Sequence, residues 1–237
     1  MRCRVDRRAQ WRDSAFKTKG NAVSPMLIAY SGLAVSLVYL PMTNAPHSWP
    51  RSVVKTLPLL CFTLAAWLAD GPIYLVAGLF FSALGDFALS RRGDGAFLYG
   101  LSSFALAHLV YTLLFLGLSG GEIWESFALF PLFAVILVAL TLSSEIWLSP
   151  FVGRLRWPVR AYVVVITGMG LAALTLPLGA VTLGVGMFIV SDMILALQLF
   201  RMEDDHRLNR PAGWAVWVFY VCGQALILAG GLGWPLP

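Results

Sequence analysis

The sequence predicts an all-α fold, a polytopic membrane bundle of about eight transmembrane helices. Of its 237 residues, 59% are hydrophobic and 12% are charged, whereas soluble domains are about half apolar and about a quarter charged. Apolar runs of about 17 to 23 residues recur along the chain, and a helix of that length crosses a hydrocarbon core of about 30 Å. The short connections between these runs leave no room for a separate soluble domain.

Each predicted span ends at a segment rich in proline, glycine or aspartate, which are typical turn residues. The spans lie at 26–43, 52–69, 72–90, 96–118, 124–142, 159–177, 180–200 and 213–231. These limits define one transmembrane domain over 26–231 and a short tail over 232–237. Residues 1–25 are a basic arm, which is either flexible or the product of a misassigned start, with translation beginning at Met26.

Basic residues mark one side of the predicted bundle. They occur in or beside the first, third, fifth and seventh loops, whereas the even-numbered loops contain neither Lys nor Arg. The positive-inside rule therefore predicts cytoplasmic odd-numbered loops in a cell (inner) membrane. The seven basic residues of the amino-terminal arm favour the opposite orientation. The loop residues are Arg51, Arg91, Arg92, Arg154, Arg156, Arg160, Arg201, Arg207 and Arg210.

Ionisable groups inside the predicted spans are the strongest functional signal, because an unpaired charge within the bilayer costs several kcal/mol. They are Lys55, Asp86, His108 and Asp192. Other polar residues share their helix faces or enter from the same side, and together they predict a polar cavity open toward the cytoplasmic leaflet. These are Ser82, Tyr111, Tyr162, Ser191, Tyr220 and Gln224.

Purely structural interpretations stay open for several of these residues. A buried pair of Lys55 and Asp86 could simply fix helix register, and His108 could be a satisfied hydrogen-bond partner. Gly184 and Gly186 are interpreted as close helix packing. The chain contains no HExxH or P-loop motif, so we expect no metal and no cofactor. The net charge of +5 follows from the loop residues, so no nucleic-acid partner is expected.

At these positions the chain resembles the YhhN-type lysoplasmalogenase family of eight-span membrane proteins. The likeness extends over roughly 26–230, with Lys55-Thr56 standing where the family commonly has Lys-Pro. It rests on Lys55-Thr-Leu-Pro, Ser82-Ala-Leu-Gly-Asp86, Phe97-Leu-Tyr-Gly100 through Phe104, Ala107-His108 and Tyr111, Tyr162 with Met169, Gly186-Met-Phe188 with Ser191-Asp192, and Tyr220 with Gln224.

The resemblance implies hydrolysis of the vinyl ether bond of lysoplasmalogens, with release of a fatty aldehyde and a glycerophospho-ethanolamine or -choline. The substrate would be a lysophospholipid taken from the surrounding membrane lipids. Such a bond is cleaved by protonating its carbon and adding water to the oxocarbenium ion, which requires a proton donor and a carboxylate.

The hypothesis assigns Asp86 and Asp192 as the acid–base pair, with His108 and Tyr111 orienting the water or one carboxyl group. Lys55 would pair with one aspartate, or would hold the lipid phosphate together with loop arginines such as Arg91 and Arg92. The remaining substrate contacts would come from Ser82, Tyr162, Ser191, Tyr220 and Gln224.

Two other functions remain possible. In a small transporter, scramblase or channel the same groups would form a proton or lipid path, and an inverted repeat would favour it. The fragments Leu84-Gly-Asp86 and Val190-Ser-Asp192 suggest a duplicated half. A structural or assembly protein is the third possibility. The sequence does not define the oligomeric state.

Overall fold

The computed structural model describes residues 24–203 and 206–234, and eight long helices account for most of them. Short helical turns extend the first helix, precede the fifth and connect the fifth to the sixth. The all-α fold class is therefore confirmed. The long helices are α1 (Pro25–Tyr39), α2 (Trp49–Leu68), α3 (Ile73–Leu89), α4 (Asp94–Ser119), α5 (Pro131–Trp147), α6 (Arg156–Ala173), α7 (Ala180–Arg201) and α8 (Asn209–Leu232).

Six helical segments are long and apolar enough to cross a membrane. α3 is apolar but has 17 residues, and α6 carries two arginines in its first turns. The chain is therefore a multi-pass membrane protein, while the count of eight crossings stays a prediction. The six segments are Pro25–Met42, Trp49–Leu68, Asp94–Ser119, Pro131–Phe151, Ala180–Arg201 and Asn209–Leu232.

Proline explains the boundaries that the sequence misplaced. The predicted fifth span over 124–142 is broken at Phe130, because Pro131 lacks an N–H and starts a new helix that runs on to Trp147. α6 begins at Arg156 and α8 at Asn209, with a proline in the first turn of each. These prolines were treated as breaks, but the first helical turn accommodates them.

The basic arm over 1–25 lies almost wholly outside the described residues, as do the last three residues of the predicted tail. The division of the chain into arm, transmembrane domain and tail therefore stays a prediction.

The odd-numbered loops meet at one end of the bundle. Side chain to backbone hydrogen bonds link the first loop to the third and the seventh, and the seventh to the end of α5. The basic residues of these loops therefore share one face. The bonds join His47 Nδ1 to the Ser90 carbonyl at 2.8 Å, Asn44 Nδ2 to the Arg210 carbonyl at 3.5 Å, and the Arg201 guanidinium to the Trp147 carbonyl at 3.1 Å.

The helix pairs α3–α4 and α7–α8 pack in the same register. A methyl group on Gly78 would overlap the ring of Tyr111. Gly184, 106 positions after Gly78, lies equally close to Gly223, 112 positions after Tyr111. Small residues at these crossings let the helices approach closely, as membrane helix pairs commonly do.

A second pair of contacts repeats with the same offsets. Gly85 faces the ring of Phe104, and Ser191 donates a hydrogen bond to the Val216 carbonyl at 2.9 Å. Because α3 and α7 are four long helices apart, the two halves run in the same direction. These contacts fit a parallel arrangement of two similar halves, and the duplication suggested by the sequence stays a hypothesis.

The glycine interpretation holds for only one of its two positions. A Cβ on Gly184 would lie 2.6 Å from the Gly223 carbonyl oxygen. A Cβ on Gly186 would meet no described atom within 4 Å, so its interpretation as a packing residue was wrong. The two positions are 200° apart around the helix, and only the first faces α8.

Candidate active site

Asp86 lies near the carboxyl end of α3 and is enclosed by partners from α2 and α8. Its side chain is 2% exposed, and the Lys55 ammonium lies 3.5 Å from Oδ1. The hydroxyl of Tyr220 donates a hydrogen bond to Oδ2 at 2.7 Å. A cation and a hydroxyl donor therefore offset the cost of burying this carboxylate.

Asp192 lies near the middle of α7 and has a different set of partners. The hydroxyl of Tyr162, from α6, donates a hydrogen bond to its Oδ2. His108 Nε2, from α4, lies 3.0 Å from the Tyr162 hydroxyl oxygen and 3.8 Å from the same carboxylate oxygen. The Asp192 side chain is 18% exposed, so it is more accessible than Asp86.

The hydrogen bonds assign a tautomer to His108. Tyr162 has a single hydroxyl hydrogen, which it donates to Asp192, so its oxygen accepts a hydrogen from His108 Nε2. The buried Nδ1 atom has no hydrogen-bond partner among the described residues, which suits an unprotonated nitrogen. His108 therefore contacts Asp192 through Tyr162.

The two aspartates occupy equivalent places in the repeat. Asp86 and Asp192 are 106 positions apart, the offset of the α3 and α7 glycines. Each receives one partner from the preceding helix of its own half and one from the last helix of the other half. Neither half therefore builds a complete site.

Both aspartates line one cavity of about 170 Å³. Lys55, Ser191 and Tyr220 also line it, as does Tyr162. Most of the remaining wall is apolar, with the hydroxyl residues Thr141, Ser144 and Thr167 as exceptions, so the cavity is mainly apolar where a polar cavity was expected. It occupies the middle of the bundle and the half next to the odd-numbered loops. The apolar wall includes Leu101, Leu137, Leu140, Val163, Ile166 and Leu199.

Three predicted site residues form a buried network behind the cavity. Tyr111 donates a hydrogen bond to Gln224 Oε1 at 2.7 Å, and Gln224 Nε2 donates one to Ser82 Oγ at 2.9 Å. Ser82 in turn donates to the Gly78 carbonyl at 2.9 Å. None of the three lines the cavity. The structure therefore places Tyr111 away from any water at the carboxylates, and it places Ser82 and Gln224 away from a bound substrate.

The loop arginines proposed for the lipid phosphate differ in their surroundings. The Arg91 guanidinium stacks on the Trp49 ring at 3.9 Å and lies 3.4 Å from the Ser52 hydroxyl, whereas Arg92 is exposed. Lys55 is paired with Asp86. Of these three cations, Arg92 is the most accessible to a headgroup.

Sequence reasoning missed two parts of the cavity. Trp217 lines it, and its indole N–H donates to the Ser36 carbonyl at 2.9 Å. One stripe of α5 also lines it, including Leu137, Thr141 and Ser144. The spacing of four and three residues is the signal that could have revealed this stripe. Both features were hidden among apolar residues that suit lipid equally well.

Metal ligands do not gather in the part of the chain that the structure describes. Groups of three or more His, Cys, Asp or Glu side chains suited to a metal ion are absent there. Cys61 and Cys222 are free and half-buried.

Comparisons with known proteins identify the family to which this chain is similar. The YhhN family model matches residues 50–231. Lysoplasmalogenase TMEM86B of Rattus norvegicus is 32% identical over 186 residues, which cover 75% of this chain and 72% of that protein.

Two further relatives extend the comparison. Lysoplasmalogenase TMEM86A of Bos taurus is 31% identical over 200 residues, 74% of this chain and 78% of that protein. The uncharacterized membrane protein YhhN of Escherichia coli O157:H7 is 36% identical over 121 residues, 49% of this chain and 54% of that protein. No solved structure matches the chain. The family match spans most of the helical bundle and both aspartates, and the chain belongs to the YhhN family.

Proposed function

We propose that this chain is a membrane hydrolase that cleaves the vinyl ether bond of lysoplasmalogens. The products would be a fatty aldehyde and glycerophospho-ethanolamine or -choline. Two relatives matched over about three quarters of the chain are named lysoplasmalogenases. The observation that carries the proposal is that Asp86 and Asp192 line one cavity whose wall is otherwise mostly apolar.

The proposed reaction needs two carboxyl groups and one water molecule. One carboxyl group protonates the alkenyl carbon, and the resulting oxocarbenium ion is attacked by water. The other carboxylate accepts the proton that the water loses. The hemiacetal then breaks its carbon–oxygen bond: its hydroxyl proton returns to the first carboxylate, and the second carboxyl group protonates the leaving glycerol oxygen. The products are the aldehyde and the glycerol hydroxyl group, and both carboxyl groups regain their starting states.

The partners of the two aspartates support this chemistry. Lys55 and Tyr220 would stabilise one carboxylate, and Tyr162 would hold the other in place for proton transfer. His108 would act through Tyr162 as a positioning residue. Ser191 lines the cavity but donates its hydrogen to the Val216 carbonyl, which leaves its oxygen free to accept from the substrate.

An inverted repeat would favour the transporter alternative. The repeated contacts belong to helices four apart, so the two halves run in parallel. That arrangement gives no specific support to an inverted-repeat transporter, and we favour the hydrolase.

The direct test measures aldehyde release from purified protein with an alkenyl lysophosphoethanolamine. We expect Asp86→Asn and Asp192→Asn each to lower turnover by about a hundredfold or more, as loss of a general acid or base commonly does. Glu122→Gln is the matched control, because this carboxylate is exposed in the fourth loop. Near-normal aldehyde release by both aspartate variants would refute the acid–base pair. Lipid flux into liposomes without aldehyde formation would favour the transporter.

We also propose that the odd-numbered loops face the cytoplasm of a cell (inner) membrane. Their basic residues share one end of the bundle, which fits the positive-inside rule. Cysteines placed at Arg92 and Glu122 test the orientation in intact cells. An impermeant maleimide should label Glu122→Cys and spare Arg92→Cys, and the reverse pattern would refute the orientation.

A further inference from the structure

We propose that the apolar side of the cavity binds the single hydrocarbon chain of the lysolipid, and that α5 is the outer wall that limits its length. This inference rests on the proposed function, because it identifies the substrate by its chain. It assigns a role to α5, which supplies neither aspartate nor any of their hydrogen-bonding or ionic partners.

α5 presents one face to the cavity and the others to lipid. Leu137, Leu140 and Ser144 line the cavity at helical spacing. Leu142, two residues after Leu140, is 67% exposed, and Ile146 is 79% exposed. The side of α5 toward the cavity is therefore distinct from its side toward the bilayer.

α5 is attached to the bundle along α6. Thr141 shares a hydrogen bond with Thr167, and Leu137 packs beside Gly170. On its other side the cavity separates α5 from α4 and α7, whose residues Leu101 and Leu199 form the facing walls. α5 therefore packs on α6 along one flank, and its other flank borders the cavity.

The matching place in the first half is filled. α1 occupies the position before α2 that α5 occupies before α6, and it closes against its neighbours. A Cβ on Gly32 would lie 2.9 Å from Cys61 Cβ of α2. On the other side, the Trp217 ring of α8 packs on Tyr39 at 4.3 Å and bonds to the Ser36 carbonyl. α1 therefore packs closely on both flanks, whereas α5 borders the cavity on one of its flanks.

The dimensions suit one lipid chain of one leaflet. The lining stretches 137–148 of α5 and 189–200 of α7 each rise about 16 Å. That is about half of a hydrocarbon core of about 30 Å, the depth that one leaflet contributes. The stretches lie at and below the odd-numbered loops, which places the chain in the leaflet on that side.

The test compares two tryptophan variants of α5 with two substrates. Leu140→Trp adds bulk to the cavity wall, and Leu142→Trp makes the same change on the lipid face. The substrates are hexadec-1-enyl and oct-1-enyl lysophosphoethanolamine, and thermal unfolding confirms that both variants fold. We expect Leu140→Trp to lower kcat/KM for the long chain by about tenfold more than for the short chain. Leu142→Trp should leave the ratio of the two substrates as in the wild type.

The outcomes separate this inference from the proposed function. If Leu140→Trp lowered kcat/KM equally for both chain lengths, the chain site would be refuted. Aldehyde release by the wild type would still support the hydrolase. If the wild type released no aldehyde, the proposed function would fail, and binding would still test the chain site. Saturated hexadecyl lysophosphoethanolamine should raise the unfolding temperature of the wild type and Leu142→Trp more than that of Leu140→Trp. Equal shifts in all three would overturn the inference.

Discussion

Replacing Lys55 by Met tests whether the buried ion pair with Asp86 serves packing or chemistry. The variant leaves a carboxylate that is 2% exposed without its cation. Removing one partner of a buried ion pair costs about 3 to 5 kcal/mol, since the other charge stays buried and uncompensated. Lys55 is itself 16% exposed, so partial hydration places the expected cost near the lower end, at about 3 kcal/mol.

The expected loss is large enough to measure by thermal unfolding in detergent. For a domain of this size about 1 kcal/mol shifts Tm by about 2 to 4 °C, so Lys55→Met should lower Tm by about 6 to 12 °C. Tryptophan fluorescence follows the transition at one protein and detergent concentration. Arg160→Met is the matched control. It breaks a surface pair with Glu145, whose side chain is 43% exposed, and such pairs contribute about 1 kcal/mol or less.

The double variant Lys55→Met/Asp86→Asn separates the two interpretations. It removes both charges while the amide still accepts the hydrogen bond of Tyr220, and neutral replacement of a buried pair is often nearly neutral for stability. We expect Tm to return to within about 4 °C of the wild type, while aldehyde release stays lost. Recovery of both Tm and turnover would show that the pair only fixes helix packing. A shift in Lys55→Met no larger than in Arg160→Met would refute the energetic argument.

Four further variants address other contacts of the site and of the helix packing around it. Tyr162→Phe removes the hydroxyl that donates a hydrogen bond to Asp192. Because a hydrogen bond to a charged group contributes about 1.5 to 3 kcal/mol, kcat/KM should fall about 10- to 150-fold. Unchanged turnover would remove Tyr162 from the mechanism. Gly184→Ala places a methyl group 2.6 Å from the α8 backbone and should lower Tm. Gly186→Ala meets no described atom within 4 Å, and it should raise Tm because alanine has the better helix propensity. Equal shifts in Tm for the two variants would contradict the packing argument. Gln224→Leu leaves two buried hydroxyls without their amide partner, which should cost about 1 to 3 kcal/mol each and lower Tm, and an unchanged Tm would contradict the network.

The sequence predicted the helices because each is a long apolar run bounded by turn residues. It also singled out Lys55, Asp86, His108 and Asp192, since few ionisable side chains lie within those runs. The structure brings all four to two linked carboxylate sites. A rare ionisable side chain within an apolar run therefore indicates a candidate site residue even when the packing of the helices is unknown.

The sequence could not show which way each helix faces. In a membrane the lipid side and the core side of a helix are both apolar, so hydrophobic periodicity does not orient it. Tyr111 and Tyr162 are both tyrosines within spans, yet one bonds to Gln224 behind the cavity and the other to Asp192. On α5 the spacing of four and three residues defines a stripe, but without the helix packing it does not show whether that stripe faces lipid or the cavity.

The repeat offers a physical account of how two unlike carboxyl groups come to share a cavity. A duplicated helix pair by itself supplies two equivalent aspartates, whereas acid–base chemistry needs two carboxyl groups in different environments. The difference comes from their neighbours, because Asp86 has the Lys55 ammonium and Asp192 has the Tyr162 hydroxyl with the His108 imidazole beside it. Since each half contributes partners to the other half's aspartate, a change in one half alters both carboxyl groups. The specialisation of the pair is therefore a property of the interface between the halves, and local sequence motifs around either aspartate cannot reveal it.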